Sequence, residues 1–246
     1  MNKEPKRLGV LVPSGDVIAE WDFQRFLPPG VVYYASRSNQ KSFNGQTAGL
    51  DFIVEGADEA AETLSQAKPE LICFCCTSAS FIRGPGWDQQ LSQRLSKAAG
   101  GIPVTTTASA LLEAMKALGI RSMFMATPYP EDRYMVEIEF FRAHGVEVKA
   151  HSHFKKIGND APTILPEEIL EKARQNKDNM KGCDAAFFSC TNVRTMQVAE
   201  QMEREIGLPV LTSNQATIWL ALGRLGIDAS KVPAGRLFNT PYPSRA

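Results

Sequence analysis

The sequence predicts an α/β protein of two pseudo-symmetric lobes, each with a parallel sheet, and an active site in the cleft between them. Three observations carry this. Short, continuous apolar runs alternate with segments of helical period, as expected of parallel strands covered on both faces by helices. The order of elements in the first half of the chain recurs in the second. Two cysteine–threonine pairs fall at equivalent strand ends within that repeat.

The strands are read in order as Leu8–Val12, Val31–Tyr34, Leu71–Cys76, Val104–Thr107, Ser122–Ala126, Val146–Ala150, Ala185–Ser189 and Val210–Thr212. Helical periodicity marks 57–66, 108–118, 131–144, 167–176, 194–206 and 215–225. The tail after Ile227 contains Pro233, Pro241 and Pro243 and is expected to wrap the surface. The repeat has two parts. Pro13 leads through a helix to Gly30 and Pro128 leads through a helix to Gly145, each over 17 residues. Cys76-Thr77 then precedes a helix, Pro103-Val104, an apolar helix and Leu118-Gly119-Ile120. Cys190-Thr191 precedes a helix, Pro209-Val210, an apolar helix and Leu225-Gly226-Ile227. A pseudo-twofold axis would bring the two Cys-Thr turns face to face.

The 246 residues suffice to bury a sizeable core, and 43% hydrophobic with 22% charged residues is an ordinary globular composition. Net charge is zero, with 27 basic and 27 acidic residues and no run of Lys or Arg, which gives nucleic acid no electrostatic footing. The charged start and the lack of an apolar stretch near 18 residues predict a cytoplasmic protein with no membrane partner. Five cysteines, three of them crowded at Cys73, Cys75 and Cys76, read as reduced thiols. C-x-C-C with isolated Cys183 and Cys190 matches no standard zinc spacing.

Each Cys-Thr pair ends a buried strand, the edge of an α/β sheet where ligands bind. The following helix N-terminus offers free N–H groups to an anion and is expected to lower the thiol pKa. A single buried cysteine is as readily a small hydrophobe, but a matched pair at equivalent strand ends makes Cys76 and Cys190 the candidate catalytic residues. Thr77, Ser78, Thr191 and Asn192 follow them as candidate substrate contacts. Ser14 and Asp16 follow the first strand, Thr105–Thr107 the fourth, and Ser213-Asn214 the eighth. The hydroxyls and amides among these can bind a carboxylate, but Asp16, Thr107 and Ser213 are equally good helix caps. Arg83 and Arg194 can pair a carboxylate or face solvent. No dinucleotide or ATP fingerprint is present.

The segments Cys76–Gly84, Ser189–Thr195, Pro209–Thr217, Val12–Gly15 and Ala126–Asp132 resemble the maleate cis–trans isomerase branch of the aspartate/glutamate racemase superfamily, over roughly residues 8–228. Arylmalonate decarboxylases share the Thr-Ser-x-Ser-Phe-x-Arg-Gly segment but keep only the second cysteine. The resemblance implies two Rossmann-like lobes and no cofactor. It implies Cys76 as nucleophile, Cys190 as its acid/base partner, and Tyr129 and Asn159 as substrate contacts. With the repeat, it places the first lobe at 1–104 plus 209–246 and the second at 105–208. Homodimers are common among such folds. The family's asparagine that holds a substrate carboxylate is replaced here by Asp16. A carboxylate facing a dicarboxylate is repulsive unless one of them is protonated.

The expected activity is isomerisation of a maleate-like dicarboxylate through a Cys76 adduct. Alternatives are a two-cysteine racemase of an amino acid or related acid, a malonate-type decarboxylase, and a non-catalytic carboxylate-binding protein.

Overall fold

A computed structural model describes residues 4–39, 48–156 and 158–243. The first half contains β1 (Lys6–Pro13), α1 (Ala19–Phe26), β2 (Val31–Ser38), α2 (Ala48–Ser65), β3 (Leu71–Phe74), α3 (Thr77–Phe81), α4 (Trp87–Ala98), β4 (Val104–Thr106) and α5 (Thr107–Ala117). The second contains β5 (Ser122–Thr127), α6 (Glu131–Ala143), β6 (Glu147–His153), α7 (Pro166–Gln175), β7 (Ala185–Phe188), α8 (Ala199–Ile206), β8 (Val210–Thr212) and α9 (Ser213–Arg224). Short 3-10 turns occupy Gly158–Thr163, Asp178–Met180, Arg194–Val198 and Arg236–Asn239.

The strands form two four-stranded sheets, ordered β2-β1-β3-β4 and β6-β5-β7-β8, parallel throughout. The second order is the first advanced by four, so the repeat in sequence is a repeat in topology. The central strands β1, β3, β5 and β7 are apolar because helices cover both faces, and β3, β5 and β7 are buried at every position. Gly9 in β1 is required by close packing: a β-carbon there would lie 2.8 Å from Ile72 and 2.9 Å from Leu64.

Two expectations are corrected here. Residues 210–212 do not join the first sheet, because β8 pairs with β7 in the second. The chain then turns back, and α9 packs along α5 and also touches β3 and α1. The tail does not merely wrap the surface. Val232, Ala234, Leu237 and Phe238 are buried, Trp219 donates its indole N–H to the Thr240 carbonyl at 2.9 Å, and a β-carbon on Gly223 would overlap the Tyr242 ring. Burying four apolar side chains contributes on the order of several kcal/mol, which explains why a proline-rich tail is held in place. Among the described residues no helix is long and apolar enough to cross a membrane.

Candidate active site between the two sheets

The carboxyl ends of β1, β3, β5, β7 and β8 converge, and the loops leaving them carry the site. Regular pairing of β3 stops at Phe74, two residues before the expected end. The chain stays extended to Cys76 (φ −150°, ψ 107°), which caps α3. Cys75 and Cys76 join different hydrophobic clusters, as successive residues of an extended chain should. All five cysteines are free and buried. Cys190 follows β7 by two residues and has φ +98°, a left-handed backbone that a side chain rarely adopts.

The two cysteine turns are physically joined. The Thr77 hydroxyl donates to the Ser213 Oγ at 2.8 Å, and that oxygen accepts the Cys190 N–H at 3.1 Å. Ser213 is free for this because the cap of α9 lies one residue earlier. Thr212 Oγ1 accepts from the Gln215 N–H at 3.1 Å while Gln215 Oε1 accepts from the Thr212 N–H at 3.1 Å. The same displacement occurs in α5, which Thr106 caps and Thr107 does not. Thr107 Oγ1 instead bonds the Phe74 carbonyl at 3.3 Å. The expected caps at Thr107 and Ser213 are thus each off by one.

Asp16 does cap its helix: its Oδ1 accepts the N–H groups of Ile18 (3.0 Å) and Ala19 (2.9 Å). Its Oδ2 is buried with no hydrogen-bond partner, and the residue is only 3% exposed. Burial raises its pKa, against the pull of the Ala19 N–H, the nearby Thr191 hydroxyl, the Ile18 N–H and Arg37. Its charge is close enough to raise the pKa of both Cys76 and Cys190. Asn192 anchors this loop across the lobes. Its Oδ1 accepts the Val17 N–H at 2.9 Å and its Nδ2 donates to the Gly15 carbonyl at 3.2 Å. Ser14, on the same loop, is exposed.

Burial also overrules the expectation that helix N-termini depress the thiols. The Cys76 thiol is pushed up to about 11, with the Ala79 N–H and the Ser78 hydroxyl opposing that shift. Cys190 is pushed up to about 12, with the Tyr129 hydroxyl and the Asn192 N–H opposing. The helix α3 has only five residues, so its dipole is a weak counterweight to desolvation. Both cysteines therefore rest as neutral thiols at neutral pH. Tyr129, buried on the loop after β5, places its hydroxyl on Cys190, and burial followed by the charge of Cys190 holds it well above its ordinary range. Phe81 packs against its ring edge at 6.5 Å.

A charged pair absent from the sequence reading lies behind Tyr129. Arg133 and Glu137, one turn apart on α6, are both buried. The Arg133 guanidinium lies 5.4 Å from the centre of the Tyr129 ring and favours the Cys76 thiolate. Glu137 accepts from the Ser189 hydroxyl at 2.6 Å and is raised to about 8 by burial, with Ser189 and Arg133 opposing. Asp22 on α1 is likewise buried, bonded by Asn214 Nδ2 at 2.7 Å and raised to about 7, chiefly by burial. The same Asn214 amide holds the Thr191 carbonyl at 2.8 Å. The sequence signal for Arg133 and Glu137 is charge at core spacing, in register with Phe140 and Phe141 on the buried side of α6.

The two arginines after the cysteines each lie over a tryptophan ring. Arg83 is exposed with its guanidinium 4.4 Å from the Trp87 ring centre, and Arg194 lies 5.4 Å from that of Trp21. The backbone of Asn159 belongs to the 3-10 turn Gly158–Thr163, and its side chain lies outside the described residues.

Comparison with known proteins agrees with this fold. The maleate isomerase of Geobacillus stearothermophilus is 24% identical over 252 residues, covering 96% of this chain and 98% of the relative. The arylmalonate decarboxylase of Bordetella bronchiseptica is 26% identical over 234 residues, covering 94% and 96%. A Nocardia farcinica maleate cis–trans isomerase, a cysteine-to-serine variant with a covalently bound succinylcysteine intermediate, superposes with a TM-score of 0.86 at 24% identity, covering 95% of this chain and 98% of that one. The profile of the arylmalonate decarboxylase family matches residues 9–238, and the chain belongs to that family.

Proposed function

We propose that the protein is a cofactor-independent isomerase that moves a maleate-like cis-alkene to its trans isomer through a Cys76 adduct. The observation that carries this is the pairing of two buried thiols at equivalent strand ends, tied together through Ser213, with the Tyr129 hydroxyl on the second thiol. The Nocardia farcinica relative, with its succinylcysteine, has the product expected of adding a cysteine across such a double bond.

The Cys76 sulfur, as thiolate, bonds one alkene carbon. The π electron pair takes the Cys190 thiol proton at the other carbon, leaving Cys190 as thiolate. The carbon–carbon bond is now single and rotates. Cys190 then takes a proton back, the double bond re-forms and the Cys76 thiolate leaves. Burial keeps both thiols neutral at rest, so Cys76 releases its proton to solvent as the substrate binds, and takes one back when the product leaves. The Ala79 N–H, the Ser78 hydroxyl and Arg133 are the groups that favour it. Tyr129 is the donor that stabilises the Cys190 thiolate. A small carboxylate substrate and a cytoplasmic setting, where free thiols stay reduced, complete the reading.

Proton NMR with maleate and its half-amide tests it. Trans product should form with the wild type, vanish in Cys76→Ala and fall by orders of magnitude in Cys190→Ser. Absence of trans product from both substrates would refute the assignment.

A further inference from the structure

Resting on the isomerase reading, we infer that the substrate is a monoanion, the half-amide of a cis-enedioate, with its carboxamide against Asp16 and its carboxylate toward Arg133. The argument is one of charge and hydrogen-bond inventory. Three acidic side chains, Asp16, Asp22 and Glu137, are buried around the two thiols. Among the described residues Arg133 is the one buried basic side chain of the molecule. A dianion placed beside a Cys76 thiolate would meet one buried cation and would set its second carboxylate against Asp16. A monoanion turns its one carboxylate toward Arg133 and sets no second carboxylate against Asp16.

Asp16 and Arg133 lie on the segments that follow β1 and β5, equivalent strands of the two lobes, so they approach the cleft from opposite sides. Both act on Cys76, Asp16 opposing its ionisation and Arg133 favouring it. Because Asp16 Oδ1 is occupied by two backbone N–H groups, Oδ2 is the atom left for a ligand, and it is buried without a partner. A primary carboxamide satisfies Oδ2 in either protonation state. Its N–H donates to a carboxylate, and its oxygen accepts from a protonated carboxyl. A substrate carboxylate is accepted only when Asp16 carries a proton. Besides burial, the Ala19 and Ile18 N–H groups and the Thr191 hydroxyl, the titratable and charged groups facing Asp16 are Asp22 on α1, Arg37 on β2, Cys75 and Cys76 after β3, and Cys190 after β7.

The test compares kcat/KM for maleamate and maleate in the wild type and in Asp16→Asn across the neutral range. An asparagine keeps the cap on Ile18 and Ala19 and donates to a carboxylate. The wild type should prefer maleamate about tenfold or more, in line with about 1.4 kcal/mol of discrimination. Its maleate turnover should fall with rising pH while maleamate turnover does not. Asp16→Asn should move the preference toward maleate by about tenfold and flatten the pH dependence. A wild type that prefers maleate overturns the inference and leaves the isomerase reading standing, as does a ratio unchanged by Asp16→Asn. If that variant does not fold, the wild-type ratio and its pH dependence decide alone. Turnover of neither compound overturns both.

Discussion

Cys190 sits at φ +98°, where an L side chain is strained and glycine is not. The perturbation that isolates this strain is the pair Cys190→Ala and Cys190→Gly. Both remove the thiol, so the comparison cancels the loss of sulfur packing. Alanine keeps a β-carbon in the left-handed region, at about 1–2 kcal/mol. Glycine relieves that and costs about 0.5–1 kcal/mol in unfolded-chain entropy. The net expectation is that Cys190→Gly is more stable than Cys190→Ala by about 0.5–1 kcal/mol, or about 2 °C in Tm for a chain of this size. At an ordinary strand end the sign is opposite. The strained turn aims the Cys190 N–H at Ser213 and its sulfur at Tyr129, so this reasoning ties a stability cost to a functional geometry. Differential scanning calorimetry of the two variants decides it. A glycine variant that melts below the alanine variant would refute the strain argument.

Other expectations follow from the same contacts. Tyr129→Phe removes the donor on Cys190 and should lower kcat by about 10²-fold, as losing an oxyanion donor does; a loss under about threefold would remove Tyr129 from the mechanism. Asn192→Ala breaks two bonds between the lobes and should cost about 1–2 kcal/mol in urea denaturation, with a raised KM because the Asp16 loop loses its anchor. Glu137 titrates near 8 when folded and at 4.5 ordinarily, so the folded state holds a proton that the unfolded state releases between those values. Wild-type stability should therefore fall as pH rises from 4.5 to 8, and Glu137→Gln should abolish that part of the slope in urea melts across the window. Thiol alkylation of the resting enzyme should be slow at neutral pH and accelerate toward the alkaline values of Cys76 and Cys190, as followed by iodoacetamide labelling.

The sequence was most legible where local chemistry and topology agree. The central strands were visible as apolar runs because burial on both faces forces continuous hydrophobicity, whereas the edge strands β2 and β6 are largely exposed and showed only short apolar starts, and the internal repeat carried the two-sheet topology. The paired cysteines could be named because they sit at equivalent strand ends, and Tyr129 because its segment resembles a family motif. What was hidden depends on three-dimensional neighbours. The sheet that β8 joins is set by pairing with β7, which no local pattern records. The thiol pKa direction is a contest between desolvation and a few N–H groups, and only burial in the assembled cleft decides it. Arg133, Glu137 and Asp22 look like surface residues of amphipathic helices until the assembled molecule buries them. The caps of α5 and α9 differ from the reading by one residue, which changes Ser213 from a cap into the bridge between the two cysteine turns.

The most direct test of the central claim is intact-protein mass spectrometry of Cys190→Ser incubated with maleate or its half-amide, followed by peptide mapping. The account predicts a mass increase equal to one substrate molecule, located on Cys76 and absent from Cys76→Ala. An unmodified Cys76 in a variant that still produces the trans isomer would contradict covalent catalysis by this residue.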